Sequence, residues 1–236
     1  MERIICLIIG YAFGLIQTGY LVGRANGIDI RNYGSKNAGT TNVLRTMGKK
    51  YGALVLLGDA LKCIAAVVVV KLIFGAKYPD IICLLALYGA AGVILGHNFP
   101  FYMHFKGGKG IAATLGLALS YCFLIRYGFL VTVIGFGVFV VIFLMTKYVS
   151  LGSIVGYITL FIVIIVFGER GAFGFPDALN RRLLIEYYII MFLLTAMAVY
   201  RHKENIKRLL AGNERKTYLW GKPEAKAETQ VDNGQE

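Results

Sequence analysis

Three polar clusters interrupt an otherwise oily chain, and their residue types belong to anion chemistry. The first, residues 31–45 (RNYGSKNAGTTNVLR), sets Gly, Ser, Asn and Thr ahead of an apolar turn. Backbone N–H groups and hydroxyls are thereby offered at a helix start, where a negative charge is favoured. Its glycine spacing imitates a nucleotide-binding P-loop, but no Lys precedes the Ser/Thr, so nucleotide binding is unsupported. A turn with a helix cap uses the same residues, and this cluster alone leaves both uses open.

The second cluster, residues 96–110 (GHNFPFYMHFKGGKG), places Lys106 and Lys109 among Gly107, Gly108 and Gly110. Bare glycine amides can approach a phosphate closely and lysine adds a point charge, although an interfacial turn would also take these residues. Gly108 to Ala113 mimics a dinucleotide fingerprint, but no strand or βαβ unit precedes it. The third cluster, residues 201–216 (RHKENIKRLLAGNERK), carries His202 and Asn205 three apart, on one helix face. It is also a basic segment of the kind that meets acidic headgroups.

The elements that hold these clusters are membrane helices. With 57% hydrophobic residues, 16% charged residues and mean hydropathy +0.65, the chain is too apolar for a soluble domain and reads as an integral membrane protein. Uncharged runs at 4–23, 53–75, 81–97, 111–125, 127–146, 148–167 and 183–200 predict an all-α, polytopic protein of seven transmembrane helices. The first run lacks a small-residue cleavage site and reads as a retained helix; its Gly10/Gly14 and Gly19/Gly23 pairs fit close helix packing. If the N-terminus is outside and the C-terminus cytoplasmic, seventeen Lys and Arg lie inside and six outside, the asymmetry the positive-inside rule asks for. All three clusters then share the cytoplasmic face. The basic excess therefore reports loop topology and anionic ligands, and nucleic acid is not a partner. The four cysteines lie in apolar runs without a CxxC pair, so neither a disulfide framework, a metal site nor a cofactor is indicated. Asp59 and Lys62 share a face inside the second run, where charges pair or line a cavity. Residues 1–216 read as one transmembrane domain and 217–236 as a flexible polar tail.

GSKNAGTTNVLR, GHNFPFYMHFKGGKGIAAT and HKENIKRLLAGNERK, in that order between spans, resemble the three cytoplasmic motifs of the acyl-phosphate-dependent glycerol-3-phosphate acyltransferases, the PlsY family of bacterial membranes. The likeness covers about residues 10 to 216. It implies transfer of a fatty acyl group from acyl phosphate to the sn-1 hydroxyl of glycerol 3-phosphate, giving lysophosphatidic acid and phosphate, on the inner face of a bacterial cytoplasmic membrane. It also implies coupling to an acyl-phosphate-forming enzyme. By the same resemblance Ser35 and Arg45 contact phosphate, with Asn37, Gly39, Thr40 and Asn42 lining the first loop as substrate contacts. Gly107, Gly108 and Gly110 bind acyl phosphate beside Lys106 and Lys109. His202 and Asn205 serve catalysis or positioning, Glu214 supports the local structure, and Asp59 and Lys62 match an Asp-x-x-Lys feature.

The chain departs from the family at Gly14-Leu-Ile-Gln17, where a Gly-Ser-Ile-Pro-like stretch is usual, and at Lys36 and Cys63, where glycine is usual. An activated mixed anhydride mainly needs two repelling phosphates held and growing charge stabilised, work for cations and amides. The HxxxxD arrangement of other glycerolipid acyltransferases is missing, so no carboxylate stands behind a histidine base; if His202 were that base, a pH limb near the ordinary histidine value of about 6.5 is expected. A transporter would place its polar groups at the bilayer midplane in repeated halves. A scaffold would make the glycine–lysine and His/Asn features accidental.

Overall fold

The computed structural model describes residues 1–219, which form ten α-helices and no strand among the described residues. They are α1 (Glu2–Gly14), α2 (Thr18–Ala25), α3 (Thr40–Met47), α4 (Lys49–Phe74), α5 (Ile82–Asn98), α6 (Ile111–Leu124), α7 (Gly128–Thr146), α8 (Val149–Gly168), α9 (Asp177–Arg201) and α10 (Lys203–Leu210). Among the described residues six stretches are long and apolar enough to cross a membrane, counting α1 and α2 as one. The run at 111–125 forms the fourteen-residue α6, about 21 Å at 1.5 Å per residue, against roughly 30 Å of hydrocarbon. Most of the tail, from residue 220, lies outside the described residues. Its first residue, Thr217, is packed: it is buried and its N–H donates to Lys147 O at 2.9 Å.

α5 is the axis of the bundle, buried along almost its whole length, with α1, α4, α6 and α9 packed around it. α1 reaches it through glycine. A Cβ on Gly14 would lie 2.9 Å from Gly96 Cα and 3.0 Å from His97 N, so only bare backbone permits this approach. Cys63, at a position usually glycine in the resembled family, is accommodated because Gly116 faces it, 2.8 Å separating Cys63 Cβ from where a Cβ on Gly116 would be. Cys6, Cys63 and Cys83 are buried, Cys122 is exposed, and all four are free thiols.

The first span breaks at residues 15–17, and side chains close the break. Gln17 Nε2 lies at 3.1 Å from Gly14 O, 3.3 Å from Gly96 O and 3.1 Å from His97 O. Lys62 Nζ donates to the released Ile16 O at 2.6 Å. Backbone carbonyls freed inside a membrane need such partners. Lys62 also donates to Asp59 Oδ1 (2.8 Å) and His97 Nδ1 (2.9 Å), and Thr18 Oγ1 donates to Asp59 Oδ1 (2.9 Å). The Asp59–Lys62 pair thus staples α4 to α1, α2 and α5.

Candidate active site

The first loop is folded by its own side chains. Asp29 accepts from Arg31 N (3.0 Å) and pairs with the Arg31 guanidinium (2.6 Å), fixing the short turn Ile30–Asn32. Asn42, buried on α3, donates Nδ2 to Ile30 O (3.1 Å) and Tyr33 O (3.0 Å) and accepts from Ser35 N (2.8 Å) through Oδ1. Asn37 Oδ1 accepts from Gly39 N at 2.9 Å, an Asx turn leading into the helix. Sequence reasoning gave these asparagines substrate contacts; in the structure their polar atoms shape the loop. Ser35 is exposed, and Thr40 has a buried hydroxyl with no partner among the described residues. Lys36 holds a left-handed φ of +59°, which accounts for glycine being usual there, since a side chain in this region costs roughly 1–2 kcal/mol.

The second loop is clamped on both edges. Gly107 N donates to Asn98 O (3.1 Å) and Gly108 N to His97 O (3.0 Å), while Arg201 Nη2 donates to Gly107 O (2.8 Å) and Gly108 O (2.6 Å). The expectation that both glycine amides are bare is therefore corrected: the carbonyls at the end of α5 take them. Glycine is needed here for packing, because a Cβ on Gly107 would lie 2.6 Å from Pro100 Cδ and one on Gly108 would lie 2.7 Å from His97 Cε1. Gly110, at φ +80°, starts α6, whose first N–H groups point out of the helix as at any helix start. Lys106 is exposed; Lys109 is half-buried and donates to Asn205 Oδ1.

The third cluster completes the site. α9 ends at Arg201 and α10 begins at Lys203, so His202 sits at the corner, buried, with Nδ1–H donating to Ala198 O at 2.8 Å. That bond assigns the tautomer and leaves Nε2 as the acceptor nitrogen. Among the described residues the ring's hydrogen-bond partner is that carbonyl. Asn205 Nδ2 donates to Glu214 Oε1 (2.7 Å), which also accepts from Ser150 Oγ (3.0 Å), and Glu214 Oε2 accepts from Arg208 Nε (2.8 Å). Arg45 reaches the same segment from α3, donating Nε (2.9 Å) and Nη2 (2.6 Å) to Thr217 Oγ1 and Nη2 to Arg215 O (2.7 Å).

Lys109, His202, Asn205, Glu214 and Arg45 thus come together, supported by Arg201, Arg208, Ser150 and Thr217. Sequence reasoning gave these last four no role. Arg201 carried a signal, since it directly precedes His202; Ser150 and Thr217 carried none. Among the described residues no three His, Cys, Asp or Glu side chains gather as metal ligands.

Electrostatics follow from burial among cations. Burial, joined by Arg208, Arg201 and Arg45, brings the Lys109 ammonium down to about 8. Burial, then the Lys109 charge, takes His202 down to about 4. For Glu214, burial works to raise the carboxyl, but bonds from Asn205, Arg208 and Ser150 outweigh it and hold it below its usual range. The result is a cluster of positive charge around a neutral imidazole.

Residues 4–212 match the family described as Glycerol-3-phosphate acyltransferase. Curated proteins named glycerol-3-phosphate acyltransferase from Clostridioides difficile (strain 630) and Thermosipho melanesiensis are 41% and 39% identical. The first match covers 90% of this chain and 94% of the relative, the second 94% and 98%. Among solved structures, the glycerol 3-phosphate form of PlsY (YgiH), an integral membrane glycerol 3-phosphate acyltransferase, superposes with TM-score 0.74 at 33% identity, covering 92% of this chain and 96% of that one. The lysophosphatidic acid form gives 0.72 at 32%.

Proposed function

Because the chain belongs to the glycerol-3-phosphate acyltransferase family, we propose that it transfers a fatty acyl group from acyl phosphate to the sn-1 hydroxyl of glycerol 3-phosphate. The observation that carries this reading is the meeting of Lys109 from the second cluster with Asn205 and Glu214 of the third, in a segment that Arg45 of the first also reaches. Two phosphates that repel each other need several cations at one place, and membrane burial strengthens each one.

In the reaction the glycerol oxygen forms a bond to the acyl carbonyl carbon, the carbonyl–phosphate C–O bond breaks, and the electron pair leaves with phosphate. Arg45, Lys109 and exposed Lys106 neutralise the phosphates, Ser35 and Thr40 add hydroxyls, and the free amides starting α6 at Gly110 face the donor. Asn205, held by Glu214, positions Lys109. His202, taken down to about 4 by burial and the Lys109 charge, is neutral at pH 7; it orients the acceptor, and the hydroxyl proton leaves with the phosphate. The products are lysophosphatidic acid and inorganic phosphate.

The Lys/Arg asymmetry supports a cytoplasmic site, with the N-terminus outside, α6 as a short seventh span, and a bacterial inner membrane as the location. An enzyme that makes acyl phosphate must then supply the donor. Purified protein given glycerol 3-phosphate should form lysophosphatidic acid and phosphate in equal amounts from acyl phosphate, and none from acyl-CoA. Equal turnover with acyl-CoA would refute the donor.

A further inference from the structure

We propose that Thr217 is a positioning residue for phosphate binding, acting through Arg45; this rests on the reading of Arg45 as a phosphate ligand. Arg45 stands on α3, only eight residues long, and the loop before it is bonded to itself. Among the described residues, the side-chain hydrogen bonds joining the first cluster to the third and to the residue that follows it are those of Arg45 to Arg215 and Thr217.

Thr217 is built to receive them. Its side chain is buried, and its N–H is anchored on Lys147 O between α7 and α8, so a third element fixes the hydroxyl. That oxygen accepts from both Nε and Nη2, and Arg215 O takes a further bond from Nη2. A guanidinium has five N–H donors in a rigid fork. Three are taken, the one on Nε and both on Nη2, which leaves the two on Nη1. A guanidinium held this way presents Nη1 in a fixed direction to an oxygen of a phosphate monoester dianion.

Glu214, in the same segment, holds Asn205 and through it Lys109. One short strap therefore sets the spacing between two cations that would otherwise repel. Its loss leaves Arg45 charged and present but free to swing.

The phosphate belongs either to glycerol 3-phosphate or to the acyl donor, so both Michaelis constants are measured for Thr217→Val, Thr217→Ala and Thr217→Ser, each also in an Arg45→Lys background. Val and Ala should raise KM for one substrate about tenfold with kcat within about threefold, the scale of a hydrogen bond to a charged group; the substrate whose KM moves is the one Arg45 holds. Ser, which keeps the oxygen, should restore wild-type constants, and in Arg45→Lys the Thr217 changes should add nothing. Unchanged or lowered KM values in folded Thr217→Val, equal damage by Ser, additivity with Arg45→Lys, or failure of both Val and Ala to fold would each overturn the proposal. An active wild type whose KM values are indifferent to Arg45→Ala would instead refute the phosphate-ligand reading.

Discussion

Lys62 and Lys109 are both drawn out of water and both lie near a carboxylate and a histidine, yet their hydrogen-bond counts differ. An ammonium has three N–H donors. Lys62 places its three on Asp59 Oδ1, Ile16 O and His97 Nδ1. Lys109 has one partner among the described residues, Asn205 Oδ1. Around Lys62 every ammonium donor is used, the charge is paired with Asp59 and the broken span is sealed. The fold holds the Lys109 cation by a single neutral partner and leaves two donors for a ligand. The same residue type is thus architectural or chemical according to how completely the fold satisfies it.

The comparison breaks most visibly at Lys62. Lys62→Met leaves Asp59 buried without its counter-ion, and a thermal or denaturant melt should show about 3–5 kcal/mol lost, while Asp59→Leu with Lys62→Met together should cost less than either change alone. Lys109→Met should do the converse, lowering turnover by about 10²–10³-fold with little change in the melt. A large melting shift in Lys109→Met, or full stability in Lys62→Met, would erase the distinction.

A pH profile sharpens it further. Lys109 is charged below about 8, so kcat/KM should be level near neutrality and fall about tenfold per pH unit above 8, a limb absent from Lys109→Arg. His202, at about 4, contributes no limb near 6.5. His202→Gln should keep the shape of the profile between 6 and 9 while KM for glycerol 3-phosphate rises about tenfold; loss of a limb at unchanged KM would make His202 the base after all. The smallest signal concerns sidedness: with the site cytoplasmic, cysteines at His104 and Asn213 should resist an impermeant label in intact cells that modifies one at Asp80.

Much of the fold was legible because apolar runs report helices directly: the long spans follow them within a few residues. The clusters were legible as well, since glycine beside lysine and His202 three before Asn205 are unusual at a helix end. Valence was hidden. Whether the Gly107 amide is bare depends on the carbonyl of Asn98, nine residues earlier and across a turn. Likewise Asn42 reads as a ligand until Ile30 O and Tyr33 O are found beside it. Gln17, where the resembled family has proline, still ends α1, because its side chain caps carbonyls that lie far apart in sequence. The setting of His202 was hidden too, because 6.5 is a value for imidazole in water and this ring is buried beside the Lys109 charge, which takes it down.

The shortness of α6 sets the energetics of substrate delivery. In the proposed orientation, with Arg126 at the outer interface, a helix of about 21 Å begins roughly 9 Å beneath the inner edge of the hydrocarbon. Lys109 and Gly110 then lie below the headgroups, level with the middle methylenes of the inner leaflet. Pulling a chain of about fifteen methylenes into water would cost on the order of 12 kcal/mol at ~0.8 each. A recessed loop avoids that cost. On the proposed reading, the acyl donor arrives by lateral diffusion with its tail still dissolved in the leaflet and the lysophospholipid product leaves along the same plane, so that only the small, water-soluble glycerol 3-phosphate and phosphate exchange with the water on that side.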